Sequence, residues 1–450
     1  MFKKVLIANR GEIAVRAIRA CKEMGIETVA VYSKADEQSL HVRYADNAIC
    51  IGDSKASKSY LYIYNIFGAA ESMKVDAIYP GTGFFSENPT FVKMCEQYNA
   101  TFIGAKSDVI QMLTSKIKAK EIAREVGIPV VEASENEVAD SKECLKIAER
   151  IGFPVMLKAV DGGGGKGMRI VEKAEDIESA FESCREEAKL FFKSTKIFVE
   201  KYVSNARHVE VQVLSDTYGN AIHLLDRDCT MQRRNQKLIE EAVSVFVPKE
   251  VKERMYADAI GIIKHINYAG AATVEFLVDK DMNYYFMEVN PRVQVEHTIT
   301  EQVTGVDIVK EQIRIAAGEK LNHASALGTN LHSIECRINA EDSSSNFMCS
   351  TGTVKKCVFP RGAGVRIESH ICEGFKVTPY YDSMIAKIIV TAENRNTAIN
   401  KMRMALDEMI IEGVNTNADL QKKLISTPEF INGTSTTSFA GDYIKNCLNC

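Results

Sequence analysis

Apolar positions along this chain keep two rhythms, and the places where one gives way to the other mark its units. Toward the N-terminus, short apolar runs at 4–8, 27–32, 77–79 and 101–103 alternate with stretches of helical spacing, such as Ala14, Ala17, Ile18, Cys21 and Met24 between Gly11 and Gly25. This alternation predicts βαβ units and a parallel sheet ending near residue 110. A dinucleotide site needs Gly-x-Gly-x-x-Gly at the first turn, and Asn9-Arg10-Gly11-Glu12-Ile13-Ala14 lacks it, so the unit reads as scaffold. Tyr79-Pro80-Gly81-Thr82-Gly83-Phe84-Phe85-Ser86-Glu87-Asn88 follows the C-terminal end of a strand, where open α/β sheets form ligand crevices.

A helix is predicted over 108–126, with Lys116 inside it, and a new unit begins near Ile128-Pro129. Within that unit, 154–160 and 168–171 read as strands around Asp161-Gly162-Gly163-Gly164-Gly165-Lys166-Gly167. Glycine lets backbone amides approach an anion closely, and a tract of glycines moves easily. A Walker loop is excluded, because Gly167 rather than Ser or Thr follows Lys166 and a strand follows both. Two readings stand: a phosphate-covering flap with Lys158 and Lys166 as cations, or a flexible linker. A connecting strand at 197–203 carries Glu200, and 207–214 with 221–225 forms a hairpin. The segment 226–237 gathers Arg227, Arg233, Arg234 and Lys237 without apolar cover and is expected as a loop, either solvated or anion-binding.

The densest stretch is Phe286-Met287-Glu288-Val289-Asn290-Pro291-Arg292-Val293-Gln294-Val295-Glu296-His297. With 272–278 before a turn at 279–283, it predicts a hairpin whose mouth pairs Asp279 with Tyr284, and hence Glu275 with Glu288. Like charges directly opposed at ~5 Å repel. A hard divalent cation between them, completed by substrate phosphates and with Asn290 as a further oxygen ligand, removes that repulsion. Carboxylates splayed into solvent are the alternative. Farther on, Thr298 and Glu301 match a capping box, Asp307 caps a helix at 308–317, and strands are expected at 334–338, 353–358, 364–368 and 386–391 before a helix at 395–411. That third, strand-rich unit carries Arg337.

Composition narrows the function classes. The 450 residues, 46% hydrophobic, suggest about three domains with full cores. A formal charge of −4 and a basic cluster no longer than Arg233-Arg234 with Lys237 argue against a nucleic-acid partner. No apolar run approaches the ~20 residues of a membrane span, and Val5-Leu6-Ile7-Ala8 is too short for a signal peptide, so a soluble cytoplasmic protein is expected. The 12 cysteines are scattered through apolar segments as buried thiols, and Cys447-x-x-Cys450 reads as a frayed tail.

The glycine tract, the carboxylate hairpin and Asn290-x-Arg292-x-Gln294-Val295-Glu296-His297 together resemble the ATP-grasp superfamily, and within it the biotin carboxylases. The likeness runs collinearly from Ile7-Ala8-Asn9-Arg10-Gly11-Glu12-Ile13-Ala14 to Tyr380-Tyr381-Asp382-Ser383-Met384. It implies an α/β and α+β chain: a pre-ATP-grasp, Rossmann-like domain at 1–113, an ATP-grasp domain at 114–331 with a mobile lid at about 131–203, and a mainly β C-terminal domain at 332–446. It implies that Lys116, Lys158 and His208 contact the nucleotide, with Gln232 and Leu277 beside them. The flap of Gly163, Gly164, Gly165, Lys166 and Gly167 covers the phosphates, and Glu200, Lys201 and Val203 hold the adenine. Glu275, Glu288 and Asn290 bind Mg²⁺ or Mn²⁺; Lys237, Arg292, Gln294 and the Val295 backbone hold bicarbonate; Glu296 removes its proton; and Arg337 stabilises the biotin enolate.

The implied reaction begins with bicarbonate attacking the γ-phosphate of ATP. Carboxyphosphate then breaks to CO₂ and phosphate, and biotin captures the CO₂. A base for bicarbonate must be tuned toward working pH by its neighbours. Three positions depart from the family pattern. Thr82 replaces a tyrosine beside the biotin pocket, Asn235 a histidine near the nucleotide, and Cys349 a proline. No Met-Lys-Met biotin acceptor occurs, the nearest approach being Val92-Lys93-Met94 in a predicted helix. Biotin therefore arrives on a separate carrier protein, with a carboxyltransferase subunit as further partner and a homodimer expected. Two rivals remain: an ATP-grasp ligase with another acceptor, and a non-catalytic ATP-binding subunit that has lost biotin, motivated by Thr82.

Overall fold

The strands β1 (Lys4–Ile7), β2 (Glu27–Ser33), β3 (Asn47–Gly52), β4 (Ala77–Tyr79) and β5 (Thr101–Phe102) pair in parallel in the order β3-β2-β1-β4-β5. The computed structural model describes residues 1–160, 167–325 and 328–447. The flap residues Gly163, Gly164, Gly165 and Lys166, and Cys450 of the terminal Cys-x-x-Cys, lie outside the described residues. Val5, Leu6 and Ile7 are fully buried, as the covered centre of a parallel sheet requires. The edge strand β3 is the least buried of the five, with Ile51 alone buried, and is not among the strands expected from periodicity.

The helix expected over 108–126 is two helices, Ser107–Thr114 and Lys116–Glu125. Ser115 breaks them with an extended ψ of 108°, and its hydroxyl accepts from the Lys118 N–H. Lys116 therefore sits in the first turn of a helix rather than in the middle of one. Beyond it, β6 (Val155–Ala159), β7 (Met168–Val171) and β8 (Ile197–Lys201) form an antiparallel sheet in the order β7-β6-β8. The helices Ser141–Ile151 and Ile177–Phe192 cover it around Cys144, Leu157, Phe181 and Val199, a core separate from the rest.

An eight-stranded sheet organises everything else. It runs β13 (Tyr284–Asn290), β12 (Gly270–Val278), β9 (Arg207–Ser215), β10 (Ala221–Arg233), β11 (Gln236–Ala242) and β14 (His332–Asn339), and continues through the strands Met384–Ala392 and Val365–Ser369. Because β11 pairs with β14, the third predicted unit extends the sheet of the second. The predicted loop at 226–237 is corrected: β10 runs unbroken to Arg233, and a tight turn at Arg234 and Asn235, both at positive φ, returns the chain as β11. The polarity that suggested a loop is buried instead. Asp226, Arg227 and Asp228 are almost fully buried, with Arg227 paired to Glu210 and Asp228 to Arg207.

The β12–β13 hairpin pairs Glu275 with Glu288, as expected, by a different route. Its mouth is Val278 opposite Tyr284, one residue off the predicted pair, and a bulge between Glu288 and Phe286 restores the offset. The capping box is absent: the helix His297–Thr304 starts one residue before Thr298, whose hydroxyl instead donates to Glu335, while Glu301 takes Arg16. Asp307 does cap the helix Ile308–Ala316, accepting from the Lys310 N–H at 2.9 Å.

In the last unit the strand expected at 353–358 is split into Gly352–Thr353 and Lys356–Val358, which pair with different partners. The helix expected at 395–411 stops at Glu408, because Ile410–Glu412 is drawn into an antiparallel pair with Lys356–Val358. Among the described residues, no helix is long and apolar enough to cross a membrane.

Candidate active site on the face of the long sheet

Three carboxylates stand in one row across β9, β12 and β13, with Glu210 opposite Glu275 and Glu275 opposite Glu288. Sequence reasoning missed Glu210, although the alternation His208, Glu210, Gln212 among Val209, Val211 and Val213 puts it on the same face as His208. Lys237, next to the β10–β11 turn, reaches into this row. Its Nζ lies 2.5 Å from Glu210, 3.1 Å from Glu275 and 2.5 Å from Glu296. Burial acts to lower its pKa, yet Cys229 and the surrounding acids hold it well above the ordinary lysine range.

Glu275 also lies 3.0 Å from His208 Nε2 and accepts from Asn290 Nδ2 at 3.0 Å and Gln294 Nε2 at 2.9 Å. Burial opposes its charge, but Lys237 and His208 outweigh burial and hold its carboxyl far below the usual range. This corrects the electrostatic inference drawn from the hairpin: the repulsion between Glu275 and Glu288 is relieved by protein cations and does not demand a metal. Glu288 is half-buried, and its carboxylate makes no hydrogen bond to the described residues. It is therefore the free oxygen donor of the pair. With Glu275 beside it, the donor set suits a hard divalent cation. Asn290 is less free, since its Oδ1 accepts from Arg292 at 3.1 Å.

The expected nucleotide residues gather at one end of this face. Glu200 pairs with both Lys158 and Lys120, the latter missed by the sequence reading. Burial raises the Glu200 carboxyl, but the two ammonium groups bring it down to about 2. Burial lowers the Lys116 ammonium, partly offset by Glu288. His208 Nδ1 is 2.6 Å from Gln232 Nε2, and Leu277 pairs directly with His208 across β12 and β9. The Lys201 side chain turns into the lid, donating to the carbonyls of Gly152 at 2.8 Å and Phe153 at 3.0 Å. Gly167, at a left-handed φ of +67°, closes the end of the glycine tract, its carbonyl accepting from the Ala159 N–H at 2.8 Å. Val203 follows β8 half-buried, and the Thr82 carbonyl accepts from Asn9 Nδ2 at 2.8 Å.

At the other end, Arg292 is bound by Glu87 at 2.6 Å and by Gln294 Oε1 at 3.0 Å. Glu296 is fully buried, with Lys237 on one oxygen and Arg337 at 2.9 Å on the other, while Arg337 Nε donates to Glu240 at 2.5 Å. Burial favours the neutral acid, but Lys237, Arg337 and Arg227 hold Glu296 well below the ordinary carboxylate range. The expectation of a base tuned toward neutral pH is thus not met in this state: the cations around Glu296 keep it ionised and weakly basic.

Three family models tile the chain: "Biotin carboxylase, N-terminal domain" over residues 1–110, "Carbamoyl-phosphate synthase L chain, ATP binding domain" over 115–324, and "Biotin carboxylase C-terminal domain" over 335–441. The chain is 46% identical over 445 residues to biotin carboxylase 1 of Bacillus subtilis, covering 98% of this chain and 99% of that one. Its fold matches the biotin carboxylase of Campylobacter jejuni in a β-γ-ATP complex with a TM-score of 0.96, at 46% identity, over 98% of this chain and 99% of that one. It matches the biotin carboxylase domain dimer of Hydrogenobacter thermophilus 2-oxoglutarate carboxylase, bound to MgADP, ADP and bicarbonate, with a TM-score of 0.95 at 44% identity, each chain 98% covered. With its three domain models in order and its relatives matched from end to end, the chain belongs to the biotin carboxylase family of ATP-dependent ligases.

Proposed function

We propose that this chain carboxylates biotin carried on a separate protein, using ATP and bicarbonate, as the biotin carboxylase subunit of an acyl-CoA or pyruvate carboxylase. The observation that carries the reading is the ring around Glu296, where one carboxylate is shared by Lys237 and Arg337 at the end of the carboxylate row. Phosphoryl transfer is mainly positioning and charge neutralisation, and this face concentrates both. Lys116, Lys158 and His208 take the nucleotide, and Lys237, Arg292, Gln294 and the Val295 N–H take bicarbonate. Glu275, Glu288 and Asn290 would hold Mg²⁺ or Mn²⁺, which would supply positive charge against the triphosphate.

Bicarbonate entering beside Lys237 and Arg292 takes a share of the positive charge now spent on Glu296. The Glu296 carboxylate then becomes a stronger base and accepts the bicarbonate proton. The bicarbonate oxygen attacks the γ-phosphorus with ADP as leaving group. Carboxyphosphate breaks to CO₂ and phosphate, the phosphate takes the ureido proton of biotin, and the resulting enolate, its charge balanced by Arg337, captures the CO₂ at the ureido nitrogen. The working units are 1–113, 114–331 and 332–446, and the partners are a biotin carboxyl carrier protein, a carboxyltransferase subunit and a second copy of this chain.

The test is phosphate release from ATP with bicarbonate, with and without free biotin. Release stimulated by biotin is expected. Release indifferent to biotin points to another acceptor, and ATP binding without release points to the non-catalytic subunit that Thr82 suggests.

A further inference from the structure

The strand Met384–Ala392 carries a lysine that the proposed mechanism does not use. Lys387 is fully buried, directly opposite Arg337 on β14 and Glu368 on Val365–Ser369. Its ammonium lies 3.4 Å from Glu12 in the first helix and 4.0 Å from Glu335 on β14. The shortest contact is to neither acid: Nζ donates to the Val295 carbonyl at 2.5 Å. A lysine buried only to neutralise two carboxylates draws closest to them. Here the two acids flank the ammonium and aim it at a main-chain oxygen of the loop between Arg292 and His297.

That loop is held at two successive peptides. The Gln294 carbonyl accepts from His297 Nδ1 at 2.8 Å, which sets the plane containing the Val295 N–H. Burial and the nearby Lys387, Arg16 and Arg366 keep His297 neutral, so its ring has one N–H, spent on this bond. The Val295 carbonyl belongs to the next plane, the one that leads into Glu296. We propose that Lys387 is a positioning residue for bicarbonate deprotonation: by clamping the Val295–Glu296 peptide it sets the direction of the Glu296 carboxylate relative to the bicarbonate held by the preceding amide. The inference rests on the placement of bicarbonate given above. It also gives the first helix, through Glu12, and the C-terminal strands a physical hold on the reacting centre.

The experiment compares the wild type with Lys387→Met and with Lys387→Met combined with Glu12→Gln, in ADP release with bicarbonate and free biotin, alongside thermal melting. Lys387→Met alone leaves both Glu12 and Glu335 without their shared cation and is expected to melt lower. The double variant removes the nearer of the two charges, Glu335 keeping its hydrogen bond from Thr298, and is expected to recover melting temperature while keeping a bicarbonate KM raised about tenfold, with the KM for ATP within about twofold of wild type. A double variant that recovers both melting temperature and bicarbonate KM overturns the inference, since Lys387 is then only a structural counter-ion. Arg292→Ala, run alongside, separates this from the site reading. A raised bicarbonate KM in Arg292→Ala with a wild-type value in the double variant overturns the role of Lys387 alone, and unchanged values in both overturn the bicarbonate placement with it.

Discussion

Glu275 and Glu288 face one another across β12 and β13, yet Glu275 is claimed by Lys237, His208, Asn290 and Gln294 while Glu288 has no hydrogen-bonding partner among the described residues. Two acids paired by register thus differ in what they do for the fold. Replacing Glu288 by Gln is expected to change stability by no more than ~0.5 kcal/mol, and in the stabilising direction if the like-charge repulsion counts. Replacing Glu275 by Gln leaves His208 and part of the Lys237 charge unmet and is expected to cost ~1–3 kcal/mol. Both variants are expected to weaken Mn²⁺-dependent ATP binding. Calorimetric melting and a nucleotide titration, each with and without Mn²⁺, read the two effects separately, and equal melting losses in both variants contradict the asymmetry.

Glu296→Gln removes the carboxylate that Lys237 and Arg337 share. Turnover is expected to fall by about 10²–10⁴-fold, the usual worth of a general base, with ATP affinity nearly unchanged. Near-wild-type ADP release by the variant refutes the assignment of Glu296 as the base.

Thr82 stands where the family resemblance places a tyrosine beside biotin. Thr82→Tyr is expected to lower the KM for free biotin by about 2- to 10-fold, the range an added aromatic contact supplies. An unchanged KM places Thr82 away from the pocket.

His41 is buried, bonded to Ser39 at 2.9 Å and to the Val31 carbonyl at 3.3 Å, and burial pushes its pKa down to about 4. The folded chain therefore refuses a proton that the unfolded chain accepts near pH ~6.5. Its contribution to stability is full above that pH and is lost as the pH falls toward about 4, at up to ~1.4 kcal/mol per pH unit. Glu12, raised to about 7, and Glu240, raised to about 8, act in the opposite sense, because each is protonated earlier in the folded state on acidification. The whole protein's profile mixes these signs. The difference in melting between wild type and His41→Gln isolates the histidine, and it is expected to shrink from pH 7.5 to pH 5. A constant difference means that His41 is not held neutral.

Local patterns carried much of this structure. The parallel sheet, the Asp307 cap and the β12–β13 hairpin follow from periodicity and turn residues, which act over a few positions. The carboxylate pair and the sequence from Arg292 to Glu296 could be read from the sheet's period of two and from family likeness. Local patterns failed where distant partners changed the meaning of a residue. Asp226, Arg227 and Asp228 read as part of a solvated or anion-binding loop because their partners, Arg207, Glu210 and the Ser244 N–H, are remote in sequence or unremarkable there. Ile410–Glu412 left its helix for the same kind of reason, a strand partner more than fifty residues earlier. By itself the sequence determined the strands, the hairpin and the cast of charged residues. Only the tertiary structure decided which charges neutralise each other, placing Lys237 among three acids and Lys387 under the Val295 carbonyl, because ion pairing depends on distance in space and burial, and neither is written in the order of the residues.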